Sequence, residues 1–474
     1  MHGRRSRVMA ALAVVGVSAL VLGLVVVVTR SLADGGPDHP EQWDARVLPI
    51  ATFVEQERGL SFDHPVYVDF LSPAEYSKST TADEGAVGED DRADLDRYAA
   101  ELRAMGVGSG EIDLFTAYNQ VSDAGTLAFY DPDTERVTVR GTEMTVGLEV
   151  TLAHELTHAL QDQHFDLDRL GETGGDTSAA ATFRALAEGD ALRVEQGYET
   201  SELDQDERDA YDEEYQGEVD ESKEATAEVP AFVSATFSAP YALGQPFAVM
   251  LSNQGGNAEV DRAFDDPPTT EESIFDPSSY LAADGEEEID LGFADDEELF
   301  DAGPFGAISW YLVLAERIDP KVAFEAVLGW NGDDFAAFDR DGTTCVRAGF
   351  IGDEPRDEAE MAAAIDQWAA ALPGGQAHSK KIEGHPGLEA CDPGVDVDME
   401  LTGRSESSLY LPSLWGFLVA DAASELDAAG ARCYARDVVD GLSYAEITDP
   451  DGAALMGDAF QRSLVDAFRS CQDV

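Results

Sequence analysis

Two histidines and a glutamate in one short stretch form the pattern in this sequence that is best able to do chemistry. The stretch reads His154-Glu155-Leu156-Thr157-His158. Because residues four apart on an α-helix lie one turn apart on the same side, both imidazoles can reach one metal ion. Glu155 is rotated by about 100° from His154, so it can reach a water molecule beside that ion without binding the ion itself. The spacing therefore predicts a Zn²⁺ site with Glu155 as the general base.

A zinc site that activates water has three protein ligands and keeps a fourth position open, and two residues compete for the third place. His164 follows His158 by six residues, which suits a chain that ends the helix and turns back onto the metal. That turn normally uses glycine where this chain has Gln161. Glu188 lies in a second stretch with helical character, which an antiparallel return would bring opposite the metal. We expect Glu188 to be the ligand, with His164 as the alternative.

The elements around the motif must bury one side of its helix and leave the histidines facing a cleft. Leu148, Leu152 and Leu156 recur every fourth residue on the other side, which predicts a buried back. Before the helix, the apolar and β-branched runs 126–130 and 136–140 flank a turn rich in Asp and Pro, a pattern typical of a β-hairpin. We expect strand 136–140 to be the sheet edge to which an extended peptide adds.

Together these residues resemble the zincin clan of metallopeptidases, and within it the gluzincin branch, in which two histidines and a glutamate from a second helix bind zinc. The resemblance rests on His-Glu-Leu-Thr-His-Ala-Leu-Gln-Asp-Gln at 154–163 and Glu-Gly-Asp at 188–190, and is strongest to single-pass extracytoplasmic bacterial zincin-like proteins. It covers residues 47–280. One departure is Leu192, which stands where the thermolysin-like pattern has an acid four residues after the ligand; Asp190 would have to supply that outer support.

The resemblance implies zinc-dependent hydrolysis of a polypeptide. Zinc lowers the pKa of bound water, and Glu155 takes the proton and passes it to the leaving amine. Tyr241, at the start of an apolar helix, is the candidate to donate a hydrogen bond to the oxyanion, and a tyrosine that only packs in the core is the alternative. The alternative to an enzyme is a non-catalytic extracytoplasmic module that uses the same scaffold for binding or assembly. The intact Glu155 favours the enzyme.

The charge of the chain excludes one class of partner. Its 474 residues carry 96 Asp and Glu against 30 Lys and Arg, a formal net charge of −66. A surface this negative repels phosphate backbones, so we expect no nucleic-acid binding. At 44% apolar residues the chain can bury a sizeable core.

The amino-terminal residues have the composition of a membrane segment. Arg4, Arg5 and Arg7 precede an uncharged apolar run from Val8 to Val28, about the length of helix that crosses a bilayer. We expect a signal anchor that places the bulk of the chain outside the cytoplasm at the cell membrane. A cleaved signal peptide, which would make the protein secreted, is the alternative.

The cysteines agree with an exported chain. There are four, Cys345, Cys391, Cys433 and Cys471, and none belongs to a Cys-x-x-Cys pair. An even count in an exported region predicts two disulfides. Sequential pairing is the simplest of the three possible connectivities, and the spacing does not choose among them.

The expected fold class is α+β. We divide the chain into the basic segment and membrane helix (1–30), a linker (31–46), a zincin-like domain (47–280) with an acidic insertion (201–228), and a mostly helical carboxyl-terminal region with the four cysteines (281–474). In the zincin-like domain a small mixed sheet with an edge hairpin packs on the motif helix beside a helical subdomain.

Overall fold

The chain folds as an α+β protein. A computed structural model describes residues 37–472, apart from residues 125, 170–177, 283–286, 295–296, 376 and 450–451. Helices make up 60% of it and its strands form two separate sheets, so neither an all-α nor an all-β description fits.

The helices fall into two groups along the chain. Those of the first part are α1 (Leu48–Arg58), α2 (Pro73–Thr80), α3 (Glu89–Met105), α4 (Leu114–Asp123), α5 (Val146–Phe165), α6 (Ser178–Glu202), α7 (Gln205–Ala225), α8 (Ala231–Gly255) and α9 (Asn257–Asp265). Those of the second part are α10 (Glu272–Phe275), α11 (Pro277–Ala282), α12 (Gly306–Arg317), α13 (Pro320–Val327), α14 (Pro355–Ala371), α15 (Ser405–Ser408), α16 (Tyr410–Ala422), α17 (Ala428–Asp440), α18 (Tyr444–Ile447), α19 (Ala453–Met456) and α20 (Asp458–Ser470). Short 3₁₀ turns lie at Glu84–Ala86 and Pro373–Gly375.

A three-stranded sheet packs against the motif helix α5. It contains β1 (Tyr67–Leu71), β2 (Ala128–Asp131) and β3 (Arg136–Arg140) in the order β1-β3-β2. The predicted hairpin is β2–β3, but the prediction that Arg136–Arg140 is the edge is wrong. Strand β3 pairs in parallel with β1 and antiparallel with β2, so β2 is the edge next to the helix. The local pattern of residues 136–140 could not show that β1, which lies far upstream in the chain, pairs with β3 on its other side.

The prediction for residues 281–474 did not include a five-stranded antiparallel sheet, although helices α12–α20 still make up more of this region than its strands do. Its strands are β4 (Glu298–Gly303), β5 (Trp330–Arg340), β6 (Thr343–Gly352), β7 (Ala377–Ile382) and β8 (His385–Cys391), in the order β4-β5-β6-β8-β7. Most residues of β5 and β6 are buried on both faces of the sheet. Since polar residues then do not alternate with apolar ones, the period of two that identifies a strand is missing.

Besides a small cluster on the five-stranded sheet, two large hydrophobic clusters hold these elements together. The smaller of the two large clusters packs the back of α5, including Leu152 and Leu156, against Val137 and Val139 of β3. The larger one runs from α3 to α20 and contains residues from both sides of the expected domain boundary at 280. The core therefore crosses that boundary without a break.

The predicted acidic insertion at 201–228 is mainly the helix α7. Asp204 caps its first turn by accepting a hydrogen bond from the Glu207 N–H at 3.0 Å. Most of its acids are exposed, and Glu214 reaches back to accept a hydrogen bond from the Gly147 N–H in the first turn of α5 at 2.8 Å. The acidic helix thus packs beside the motif helix and is not a detached loop.

The predicted fold is also corrected at its amino-terminal end. No helix within the described residues is long and apolar enough to cross a membrane, so the membrane helix is not supported as part of this fold. The run assigned to it, residues 8–28, lies outside the described part of the chain.

Two disulfides join elements of the second part. Cys345 is bonded to Cys391, its register partner on the neighbouring strand, and Cys433 on α17 is bonded to Cys471 just after α20. This is the sequential pairing. One bond links two strands of the five-stranded sheet and the other ties the end of the chain to the helices around it.

Candidate metal centre

Helix α5 carries the motif residues and is fixed at its beginning. The Thr145 hydroxyl accepts a hydrogen bond from the Leu148 N–H at 3.2 Å, which satisfies one free amide of the first turn. Leu148 and Leu156 are buried on the side of the small sheet. The side that carries His154 and His158 therefore faces α6, the next helix in the chain.

Three possible ligand atoms meet between α5 and α6. His158 Nε2 lies 3.1 Å from His154 Nε2 and 3.1 Å from Glu188 Oε2, and His154 Nε2 lies 3.3 Å from the same oxygen. A tetrahedral zinc ion with ligands at about 2.0–2.1 Å holds them about 3.3 Å apart. The three separations thus suit one ion of that size.

The second nitrogen of each imidazole faces an acceptor. His154 Nδ1 lies 3.0 Å from Glu195 Oε2 on α6, and His158 Nδ1 lies 3.0 Å from Gln161 Oε1. The Gln161 amide nitrogen donates to the Asp190 carboxylate at 3.0 Å, so its oxygen is the atom that faces His158. Both Nδ1 atoms therefore donate, and in neutral rings the Nε2 atoms carry lone pairs.

With neutral rings, the three converging atoms, His154 Nε2, His158 Nε2 and Glu188 Oε2, are all hydrogen-bond acceptors. None of them can donate a hydrogen bond to another. Two imidazole lone pairs and one carboxylate oxygen repel each other at such distances unless a positive charge lies between them. Imidazole nitrogen and carboxylate oxygen are ligands that zinc accepts, and acceptors at the outer nitrogens orient the rings for binding. The residues present therefore fit a zinc ion.

Protonation is the other way to supply the positive charge. Burial lowers the pKa of His154, but the hydrogen bonds to Glu188 and Glu195 outweigh it, and this pKa lies well above its usual value. The pKa of His158 is also raised, because Glu188 outweighs burial. Burial opposes ionisation of Glu188, yet the charge of His158 and the hydrogen bonds of both rings keep its pKa below the usual range. The group is arranged to hold a cation.

Glu155 is held against the edge strand. Its Oε2 accepts a hydrogen bond from the Tyr130 N–H of β2 at 2.7 Å. Burial raises the pKa of Glu155, while the charges of His154 and His158 oppose the rise. A carboxylate with a raised pKa accepts a proton more readily near neutral pH, which suits a general base.

Tyr241, the predicted oxyanion donor, is hydrogen-bonded to the glutamate of the cluster. It lies in the middle of α8, and its hydroxyl donates to Glu188 Oε1 at 2.7 Å. Burial, and then the neighbouring Glu188, raise the pKa of Tyr241 well above its usual value, so the hydroxyl keeps its proton. Tyr241 therefore orients Glu188 from the oxygen that does not face the histidines.

The structure separates the two candidates for the third ligand. Helix α5 continues past Gln161 to Phe165, so the chain makes no turn back toward the pair. His164 is exposed, and its Nε2 lies 2.9 Å from the Ser61 carbonyl oxygen. Glu188 lies with His154 and His158, and His164 does not.

Two sets of side-chain contacts orient the histidine rings through their Nδ1 atoms. Asp190 binds Arg58 at 2.8 Å and Arg193 at 2.9 Å, and it holds Gln161, which faces His158. It therefore supports His158 through Gln161. Glu195, and not the residue at 192, supports His154.

A close helix crossing sets the distance between Glu188 and Tyr241. A Cβ atom on Gly189 would lie 2.1 Å from the Gly244 carbonyl oxygen, and one on Gly244 would lie 1.9 Å from the Ala185 carbonyl oxygen. Real side chains cannot come so close, so only glycine allows α6 and α8 to touch here. Backbone contact brings the Glu188 carboxylate and the Tyr241 phenol together.

Sequence reasoning missed three partners of the predicted residues. Glu195 follows Glu188 by seven residues, two helical turns, and Gln161 follows His158 by three, so both spacings place them on the relevant helix faces. Those spacings could have suggested both. The Tyr130 amide could not have been found in this way, because its contact with Glu155 depends on how β2 packs on α5.

The chemistry of this site has to be inferred from its own side chains. No protein-family model, no curated protein and no solved structure matches the chain.

Proposed function

We propose that this protein hydrolyses peptide bonds with a zinc ion held by His154, His158 and Glu188 and with Glu155 as the general base. One observation carries the proposal: His154 Nε2, His158 Nε2 and Glu188 Oε2 converge within 3.1–3.3 Å while both Nδ1 atoms face acceptors. A structural polar cluster would pair donors with acceptors. This cluster instead presents acceptors to a common point.

In the proposed reaction, each residue of the site would have its own role. When bound, zinc lowers the pKa of a bound water and polarises the substrate carbonyl. Glu155 removes a proton from the attacking water and delivers it to the leaving amine. The Tyr130 N–H fixes the Glu155 carboxylate through Oε2 at 2.7 Å.

Tyr241 has a positioning role in this proposal. Its hydroxyl holds Glu188 Oε1, which leaves Glu188 Oε2 directed at the histidines. The predicted role as oxyanion donor would require that hydrogen bond to break. We therefore assign Tyr241 to the orientation of Glu188.

The edge strand supports a polypeptide as substrate. Among the described strands, β2 pairs with β3 alone, and its Tyr130 N–H on the other side meets Glu155. A peptide added in extended form along β2 would pass beside the general base. The two disulfides further support action outside the cytoplasm, since such bonds persist in oxidising compartments.

A non-catalytic scaffold is the second candidate, and burial favours it. The exposed fractions are 4% for His154, 8% for Glu155, 9% for His158 and 3% for Glu188. A zinc site that only stabilises the fold is typically closed to solvent. An enzyme must expose the metal when a peptide binds, so the two candidates differ in measurable activity.

Substitution of Glu155 separates these candidates. Metal analysis of the purified chain should find about one zinc per protein. Glu155→Gln should keep the zinc and lower the rate of peptide cleavage by about 10²-fold or more, because it removes the general base. Glu149→Gln, earlier on the same helix, is the matched control and should change neither quantity. Zinc binding without cleavage of any peptide in an unbiased library would favour the scaffold, and loss of zinc in Glu155→Gln would contradict the assigned role.

A further inference from the structure

Arg184 is a cation near the candidate metal centre that forms no ion pair with the described residues. It lies on α6, one helical turn before Glu188, and its side chain is partly buried. Its Nε is buried and has no hydrogen-bond partner within the described residues. No carboxylate of the described chain pairs with it, although the protein contains 96 Asp and Glu.

Nearby arginines show that pairing is the rule in this part of the fold. Arg58 binds Asp190 and Asp261, at 2.8 and 2.7 Å. Arg193, on the same helix as Arg184, binds Asp190 at 2.9 Å. A partly buried guanidinium left unneutralised in so acidic a chain is unusual, because desolvated charge is costly without a partner.

The helix crossing places Arg184 next to the site. Gly244 of α8 contacts the Ala185 backbone, so the residue before Ala185 lies at the crossing. Tyr241 is one turn before Gly244, and the charge of Arg184 acts on its hydroxyl. The same hydroxyl donates to Glu188 Oε1 at 2.7 Å, so Arg184 and the Glu188 carboxylate both act on Tyr241.

We propose that Arg184 binds a carboxylate of the substrate. A guanidinium offers two parallel N–H donors that match the two oxygens of a carboxylate. In a peptide that group is either the α-carboxylate at the carboxyl end or an Asp or Glu side chain. The inference rests on the proposed hydrolysis of peptides and deepens it by naming the substrate group that is recognised.

The overall charge makes such a local cation necessary for an acidic ligand. A net charge of −66 repels anions from the surface as a whole. An unpaired Arg184 offsets that repulsion at one place, next to the reacting bond. The protein would then choose among peptides by a carboxylate at a fixed distance from the bond that is cut.

Binding to an inactive variant tests the proposal without turnover. The probes are an N-acetylated hexapeptide with a free carboxyl end, its carboxamide, and a second carboxamide with one internal Glu in place of Gln. Calorimetry with zinc-loaded Glu155→Gln should show tighter binding of a carboxylate-bearing peptide than of the neutral amide, by about 10- to 100-fold for a charge-assisted hydrogen bond. The free-acid and internal-Glu probes distinguish the two sources.

Removal of the guanidinium should abolish this preference. In Glu155→Gln/Arg184→Gln the acid and amide probes should bind equally, while Arg184→Lys should keep part of the difference. Arg462→Gln is the matched control, because Arg462 is also unpaired within the described chain but is exposed on α20. Circular dichroism checks that each variant is folded.

The outcomes separate this inference from the proposed function. If the wild-type chain cleaves peptides and Arg184→Gln leaves the carboxylate preference unchanged, or if no preference exists, the role of Arg184 is overturned. If the preference is present and depends on Arg184 but no peptide is cleaved, carboxylate binding stands and the proposed hydrolysis fails.

Discussion

Two buried polar clusters of this molecule are built in opposite ways. In the five-stranded sheet, Arg347 binds Glu389 at 2.7 Å and Glu297 at 2.8 Å, and Lys380 binds Glu389 at 2.8 Å. Each carboxylate there faces cationic donors. Between α5 and α6, His154, His158 and Glu188 present acceptors to one another.

The difference shows how a ligand site can be told from a structural cluster. The sheet cluster is complete, since its donors and acceptors are drawn from the chain itself. The helix cluster becomes complete only when protons or a metal ion supply positive charge. Counting donors against acceptors therefore identifies the second cluster as the candidate site.

The largest expected effect is the loss of a ligand from the helix cluster. Loss of a residue that only orients a metal ligand typically weakens metal binding by about 10- to 100-fold. Glu188→Ala should weaken zinc binding by more than this, because it removes a direct ligand. His164→Ala should leave zinc affinity unchanged, since its ring contacts the Ser61 carbonyl and not the pair. Competition with a chromogenic chelator measures both. A loss confined to His164→Ala would assign the third ligand to the other candidate.

A substitution in the sheet cluster should affect stability and not metal. Glu389→Gln leaves Arg347 and Lys380 without their shared partner and should lower the free energy of unfolding by about 3 kcal/mol. Denaturant unfolding measures this. The matched control is Glu360→Gln, which removes an exposed ion pair with Arg356 at 3.7 Å and should cost under about 1 kcal/mol. A large change in zinc content of Glu389→Gln would show that the clusters are not independent.

Outer support of the helix cluster should matter less than a ligand. Glu195→Gln weakens the acceptor at His154 Nδ1 and should reduce zinc affinity by about 10- to 100-fold. Glu199→Gln, one turn further along α6, is the control and should keep full affinity. Equal affinities in the two variants would remove Glu195 from the site.

The smallest expected effect is a pH dependence of the sheet cluster. Burial opposes ionisation of Glu389, but Lys380 and Arg347 outweigh it and lower its pKa to about 2. Since the folded pKa lies below the unfolded value, this stability is present above that value and is lost as pH falls toward the folded pKa. Between about pH 5 and about pH 3.5 the wild type should lose about 1 kcal/mol that Glu389→Gln does not lose. Parallel unfolding curves at both pH values test this.

The site was more predictable than the fold around it. His154 and His158 could be placed because their spacing acts within one helix, and Glu188 because a short return between two helices limits where it can lie. Tyr241 was identified as a residue near the site, but its hydrogen bond to Glu188 depends on the crossing of α6 and α8, which spans distant parts of the chain.

The strands were harder to predict because their patterns depend on tertiary burial. Strand β3 looked like an edge, since its second neighbour β1 lies far upstream. Strands β5 and β6 lacked polar alternation because both of their faces are buried. In each case the deciding information is which segments meet, and a local pattern does not contain it.

The contact between Gly189 and Gly244 makes the site more sensitive to helix separation than to most changes of side chain. A single methyl group at either position has no room at 2.1 or 1.9 Å and would force α6 and α8 apart. Glu188 and Tyr241 would then move out of hydrogen-bonding distance, although neither residue had been changed. The geometry of the site could therefore be disrupted without removing any polar atom, by separating the backbones of α6 and α8 at this one contact.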